Sequence, residues 1–400
     1  MPHPAPSIDT QLACIHRKLA ALTPAEHGVV HDATTQPVAP TGHGRLDGMV
    51  LFVKDLSDVA GMPTSYGSIH RRHIPRSHDH VNEWLLNQGA TIAGKSATSE
   101  MGMTAYTEPV GQDPIRNPLW PGRTPGGSSG GAAALVARGI VEVAHASDGG
   151  GSIRVPAAAC GLVGFKPPHT PGEGRLTAQG FLTTSVRRAA ALHGFRPHSR
   201  RLRIAVLRAP LHGDGEVDPI MLSALADATT TLRAHGHEII PVDPAYGPEP
   251  FAAFQTLMWH KSSRIPGPAS PIVEYMRERG RGLAPGALEE ALRTLAALDR
   301  HVRYAWPCEL LLTPTLAYDP PPIGTFSSLE PQDDFDEQTR WTPWGSLFNI
   351  TGRAAISVPW ALPGRPPVGL HLGCIHAGAA ELLGVAEQLE AAGAPKGKEA

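Results

Sequence analysis

Residues 145–161 read HASDGGGSIRVPAAACG, three consecutive glycines just ahead of Ser152. Glycine loses more backbone entropy on ordering than any other residue, so such a run asks for a reason. A loose turn is one reading. The other is chemical: a serine that attacks a carbonyl creates an oxyanion, and backbone N–H groups can converge on it where no side chain blocks them. A second string, TPGGSSGGAAALVARG at 124–139, brackets Ser128 and Ser129 with glycine pairs and runs straight into a helix. A phosphate cradle there lacks the GxxxxGK[ST] pattern and any lysine in the loop. A G-x-S-x-G nucleophile elbow on Ser128 or Ser129 needs a strand immediately before it, where NPLWPGRTP places three prolines. The third reading joins the two strings. A helix of roughly 10 residues leads about 15 Å out and a strand leads about 20 Å back, so Ser152 returns toward Ser128 and two serines share one pocket.

A serine hydroxyl needs a partner that takes its proton. Of twenty histidines, His70, His73, His78 and His80 fall in a polar, arginine-rich loop and read as solvated, and His145 in VAHAS reads as a satisfied core histidine. Lys54 is the better candidate. It ends the apolar run GMVLFVKD in a chain with seven lysines against twenty-eight arginines. An unperturbed lysine titrates near 10.4 and is almost fully charged at neutral pH, but burial disfavours the ammonium and lowers that value by up to several units. On this stretch alone, a lysine that snorkels to water or pairs with Asp55 stays open as the alternative.

These residues need elements to hold them. Residues 7–33 carry helical apolar spacing and predict one or two amphipathic helices, giving an N-terminal helical cover over 1–40. GMVLFVKD predicts a strand buried on both faces, HDHVNEWLLNQGA a helix stopped at Gly89, and TIAGK the next strand. The alternation returns in LRIAVL, a helix opening at Asp218-Pro219, and EIIPVD. A helix over 285–303, a strand in CELLLTPT, paired strands in AAISVPWAL and PVGLHLGCI, and a last helix in GAAELLGVAEQLEAAG complete the reading. Repeated βαβ units predict an α/β fold, with a mixed, mostly parallel central sheet covered by helices on both faces.

Composition bounds the function. The chain has 400 residues, 41% of them hydrophobic, and a formal net charge of −2, which offers no field for nucleic acid or an anionic membrane. The start lacks a basic segment followed by an apolar core, and no stretch nears the ~18 apolar residues of a membrane span, so a soluble cytoplasmic protein is expected. Cys14, Cys160, Cys308 and Cys374 are scattered without CxxC pairing and predict buried free thiols, with neither disulfide nor metal site. No cofactor is expected, and residues 393–400 read as a disordered tail.

The strings GMVLFVKDLSDVAGMPTSYGS, GGSSGG and SDGGGSIRVPAAACGLVGFKP together resemble the amidase signature family. The 24 residues from Ser128 to Ser152 and the 74 from Lys54 to Ser128 match the family's spacing, densely over 42–168 and more loosely in LLLTPT, FNITGRAAISVP and PVGLHLG. The resemblance implies a single large α/β domain over 41–392, with a variable substrate-pocket region at about 170–345. It implies a Ser-Ser-Lys triad: Ser152 as nucleophile, Ser128 as proton relay after a cis Gly127–Ser128 peptide, and Lys54 as base. It places the oxyanion hole at Gly149, Gly150 and Gly151, with Met101 lining the pocket. Asp148 and Arg154 are implied as loop supports, and Ser129 as an orienter of Lys54 or Ser128. Ser147 stands where threonine is common. The implied function is hydrolysis of a small-molecule amide through an acyl-serine, by a protein whose candidate assembly is a homodimer. The alternatives are a glutaminase-type subunit of a tRNA-dependent amidotransferase, and an ester or carbamate hydrolase on the same triad. Trp259, Tyr275, Trp306, Tyr318, Trp341 and Trp344 are the aromatic residues available for a pocket wall in the variable half.

Overall fold

The apolar runs around Lys54 and Lys95 lie side by side as parallel strands, crossed over by the helix His80–Asn87, whose Asp79 cap accepts the N–H of Asn82. The structure is a computed structural model that describes residues 6–393. In chain order the strands are β1 (Val29–Asp32), β2 (Val50–Lys54), β3 (Thr91–Ser96), β4 (Val143–Asp148), β5 (Val163–Lys166), β6 (Ala178–Thr183), β7 (Arg203–Leu207), β8 (Glu238–Val242), β9 (Leu310–Pro314), β10 (Ala355–Leu362) and β11 (Arg365–Cys374). They form a three-stranded sheet, β1-β3-β2, and an eight-stranded sheet, β4-β6-β5-β10-β11-β9-β7-β8.

The α/β class and the mixed sheet stand as expected, but the large sheet is not mostly parallel. Five of its seven neighbouring pairs are antiparallel, and only β9-β7 and β7-β8 run parallel. Chain connectivity gives the reason. The hairpin between β10 and β11 turns over two residues, and so short a link joins only antiparallel neighbours, whereas the helix Pro219–Ala234 between β7 and β8 is a true crossover. The β2-helix-β3 unit is likewise separate from the large sheet, although β2 packs beside β4 and the Lys54 N–H donates to His145 Nδ1 at 3.2 Å.

The expected helical cover over 1–40 is also corrected. Helices Ile8–Ala20 and Pro24–His27 form, but Gly28 at φ 74° ends the second. The β-branched pair Val29-Val30 then enters β1, which runs antiparallel to β3. Of the expected tail over 393–400, Gly393 is instead the buried last residue of the helix Ala379–Gly393, and the rest lies outside the described residues. Cys160, Cys308 and Cys374 are buried free thiols as expected, while Cys14 is only half-buried.

Period-2 alternation splits the core of the large sheet. Leu310 and Leu312 of β9 pack with the helices Val186–His193, Pro219–Ala234 and Ala379–Gly393 on one face. Leu311 packs with the helices Glu249–Ser262 and Ala287–Ala305 on the other. Among the described residues no helix is long and apolar enough to cross a membrane.

Candidate active site

Lys54 is the last residue of β2 and is 1% exposed, because every residue of that strand is buried. Its Nζ stands 2.7 Å from Ser128 Oγ, 3.1 Å from Ser147 Oγ and 3.4 Å from the Ser147 carbonyl. Burial pushes its amine down to about 7, and Asp148 opposes this only in part. Pairing with Asp55 is not what the structure shows. The Asp55 carboxylate accepts the Ser65 N–H at 3.1 Å and meets Lys95 Nζ at 3.5 Å. His145 is a satisfied core residue: Nδ1 accepts from Lys54 N, so Nε2 carries the proton and donates to Gln179 Oε1 at 3.1 Å. Burial pushes its imidazole down to about 4, which keeps it neutral.

Ser128 follows a cis Gly127–Ser128 peptide and precedes the wholly apolar helix Gly130–Ala137. A Cβ at Gly127 would stand 2.4 Å from the Tyr106 carbonyl oxygen, so bare backbone is needed for that approach. The Ser129 hydroxyl makes no hydrogen bond to the Lys54 amine or the Ser128 hydroxyl. Its Oγ donates at 3.4 Å to the Ser147 carbonyl, the same oxygen that Lys54 reaches.

Ser152 sits in the turn between β4 and the short helix Arg154–Ala159, half-buried, and its hydroxyl has no hydrogen-bond partner among the described residues. It lines one cavity of about 270 Å³ together with Ser128, Met101, Gly149, Gly150 and Gly151. The three glycines are not equivalent. The Gly151 N–H donates to Asp148 Oδ1 at 2.8 Å, while those of Gly149, Gly150 and Ser152 have no partner among the described residues. Gly151 alone needs its residue type for conformation, at φ 130°. At Gly150 a Cβ would stand 3.3 Å from Phe254 Cζ on the cavity wall.

Asp148 and Arg154 lock this turn. Burial alone would raise the Asp148 carboxyl, but the Arg154 guanidinium holds it well below the usual carboxylate range. All five guanidinium N–H groups find acceptors. Nε and one Nη2–H go to the two Asp148 oxygens, the other Nη2–H to Asn349 Oδ1, and Nη1 to the Gly345 carbonyl and His371 Nε2, all at 2.7–3.0 Å. Asn349 returns donors to Asp148 Oδ1 and O at 2.9 and 2.8 Å.

The remaining cavity wall comes from the C-terminal half. Phe251, Phe254 and Met258 project from Glu249–Ser262, and Phe335, Gln338 and Thr339 from the helix Pro331–Trp341. Gln338 is held on both sides: Oε1 accepts the Ala105 N–H and Nε2 donates to Asp334 Oδ1, each at 2.6 Å. Met101 lines the cavity at φ 52°, donating its N–H to the Tyr66 carbonyl at 2.8 Å. None of the six aromatic residues offered for the wall lines it. Trp306, Trp341 and Trp344 are core residues whose indole N–H groups donate to the backbone carbonyls of Asp243, Tyr318 and Ala209, and Trp259 and Tyr275 pack with Met101 and Phe335.

Sequence reasoning missed Ser147 as a partner of Lys54, having weighed it only as a substitute for threonine. It also missed Asn349, His371 and Gly345, although Asn349 lies in the FNITG string already singled out. Phenylalanines at helical spacing carry no such signal.

The sequence model of the Amidase family matches residues 31–194 and 183–375 of this chain. The protein of Mycobacterium tuberculosis (strain ATCC 25618 / H37Rv) named "Putative amidase AmiC" is 32% identical over 429 residues, covering 94% of this chain and 88% of its own. A Synechocystis protein (strain ATCC 27184 / PCC 6803 / Kazusa) named "Putative amidase" is 31% identical, covering 86% and 74%. Among solved structures, 6-aminohexanoate cyclic dimer hydrolase complexed with substrate superimposes with a TM-score of 0.85 at 25% identity, covering 97% of this chain and 94% of that one. A bacterial aryl acylamidase of the amidase signature family shares the fold, with a TM-score of 0.77 at 20% identity, covering 98% and 96%.

Proposed function

This chain belongs to the Amidase family of amide-hydrolysing enzymes, and from that premise we propose that it cleaves a carboxamide through an acyl-enzyme on Ser152, with Ser128 and Lys54 as the proton path. The observation that carries this reading is a fully buried lysine, pushed down to about 7, 2.7 Å from a serine that shares a cavity with a second, unpartnered serine.

A neutral amine has two N–H donors and one lone pair. The Ser147 carbonyl can only accept, so it takes one N–H, and the Ser147 hydroxyl accepts the other. The lone pair is left for the Ser128 proton. As Ser152 Oγ bonds to the substrate carbonyl carbon, its proton passes to Ser128 and the Ser128 proton to Lys54. Among the described residues the Ser152 hydroxyl has no hydrogen-bond partner, and it lines the same cavity as Ser128, the acceptor this relay requires of it. The carbonyl oxygen takes up the negative charge and is met by the free N–H groups of Gly149, Gly150 and Ser152. The Gly151 N–H instead anchors the turn to Asp148. The proton then returns along the same path to the nitrogen, the C–N bond breaks and the amine leaves. Water adds to the acyl carbon by the same route, and the carboxylic acid is released.

The test is an amide-hydrolysis assay with mass spectrometry. Ser152→Ala is expected to lose about a thousandfold or more in kcat, as removal of a nucleophile does. A fluorophosphonate is expected to add one phosphonyl mass to the parent protein and none to the variant. A Ser152→Ala protein that hydrolyses amides at the parent rate would end this assignment.

A further inference from the structure

Phe251, Phe254, Met258 and Lys261 recur at steps of three, four and three residues along Glu249–Ser262, and all four line the catalytic cavity. Such steps return side chains to one face, so the helix lies along the cavity like a ruler. At one end Phe251 stacks on His212 with ring centroids 4.3 Å apart. Next comes Phe254, whose Cζ would stand 3.3 Å from a Cβ at Gly150, beside the nucleophile turn. Seven residues further, about 10 Å along the axis at ~1.5 Å per residue, is Lys261. It is exposed at the rim, and its ammonium donates to the Gly174 carbonyl at 2.6 Å, which leaves further N–H donors available. Its basicity is lowered by partial burial. Among the described residues no aspartate or glutamate lines this cavity. The other ionisable ring in the wall, His212, is pushed down to about 3 by burial and stays neutral. The cavity therefore runs from the acylation site, over an apolar floor, to a single positive charge.

Resting on the amidase reading above, we propose that Lys261 selects amides that carry a carboxylate about 10 Å from the scissile carbonyl, joined to it by an apolar spacer lying on Phe254 and Met258. At ~3.3–3.6 Å for each three backbone bonds, that span is about eight or nine bonds of extended chain. A carboxylate at that reach exchanges water for the lysine ammonium, while the spacer covers the phenylalanine and methionine faces.

The experiment compares two probes with their neutral ω-hydroxy counterparts: the monoanilide of azelaic acid, with the carboxylate on the acyl side, and N-benzoyl-8-aminooctanoate, with it on the amine side. In at least one pair the parent enzyme is expected to favour the anion by about fivefold or more in kcat/KM, the scale of one partly exposed ion pair. That ratio is expected to fall to about one in Lys261→Met. In Lys261→Glu it is expected to invert in favour of an ω-ammonium analogue. Ratios that Lys261 substitutions leave unchanged overturn the proposal while the amidase reading stands. So does failure to cleave either acid when Ser152 is still labelled by a fluorophosphonate and neutral amides are cleaved. If Ser152 takes no label and no amide is cleaved, the amidase reading falls and this proposal falls with it.

Discussion

At the scale of single residues, the question is how a lysine is brought to titrate near neutral pH. Among the described residues Lys54 has no carboxylate within hydrogen-bond reach; its neighbours are two hydroxyls and a carbonyl. Removing an ammonium from water without a counter-ion is what drives its value to about 7, and the same fact sets two pH dependences. If the neutral amine is the base, kcat/KM rises about tenfold per unit below about 7 and levels off above it. A flat profile from pH 5 to 9 would exclude Lys54 from that role. Stability follows the linkage sign. The folded value lies below that of the unfolded chain, near 10.4, so between the two the unfolded state binds more protons and this group's contribution to stability rises with pH. At neutral pH its burial costs up to about 5 kcal/mol, partly offset by its hydrogen bonds. Lys54→Met is therefore expected to be inactive yet to melt higher than the parent at pH 7, with the gap narrowing toward pH 10. A variant that melts lower at pH 7 would show that the bonds to Ser128 and Ser147 outweigh desolvation.

At the scale of elements, the helix Gly130–Ala137 places Ser128. It is buried all round and built of glycine, alanine, leucine and valine, so its position is set by backbone contact. Gly131 shows how close that contact is. A Cβ there would stand 2.4 Å from Ala97 N and 2.5 Å from the Gly28 carbonyl oxygen, two backbone atoms that cannot turn aside. Gly131→Ala is expected to cost about 1–3 kcal/mol in urea unfolding. It should also lower kcat more than it raises KM, because the shift separates Ser128 from Lys54. The control is Gly378→Ala, where the nearest atom is 4.0 Å away and little change is expected. Equal losses in both variants would show that the packing at Gly131 is not what fixes the serine.

At the scale of the whole molecule, the turn that carries Ser152 is braced by residues nearly two hundred positions away. Arg154 joins Asp148 to Gly345, Asn349 and His371, so the end of β4 is tied to the segment before β10 and to β11. Both charges are buried, at 1% and 0% side-chain exposure, which makes the pair costly to break from one side. Arg154→Met is expected to lower stability by about 3–5 kcal/mol, because it strands the Asp148 carboxylate. Asn349→Ala should lose about 1–3 kcal/mol, since three acceptors lose their amide donor. Both are read from denaturant midpoints. Values within about 0.5 kcal/mol of the parent would show that the turn holds itself.

What the sequence determined on its own was local and chemical. An apolar run ending in lysine, a glycine run before one serine and glycine pairs around another each violate an ordinary preference of residue type, and that made Lys54, Ser128 and Ser152 visible. Apolar runs and caps likewise located β2, β3, β7, β8 and the Asp218 start of Pro219–Ala234. Strand direction was not legible, because periodicity reports which face is buried and not which way a neighbour runs, so the large mixed sheet was expected mostly parallel and is mainly antiparallel. Nor could composition tell which aromatic residues would be core and which would line the cavity. Only the tertiary structure brought Ser147 to the lysine, gave the Gly151 N–H to Asp148, and set Phe254 and Lys261 along the cavity. A side chain's own propensity fixes its backbone and its burial, whereas the partner it meets is chosen by how distant segments pack.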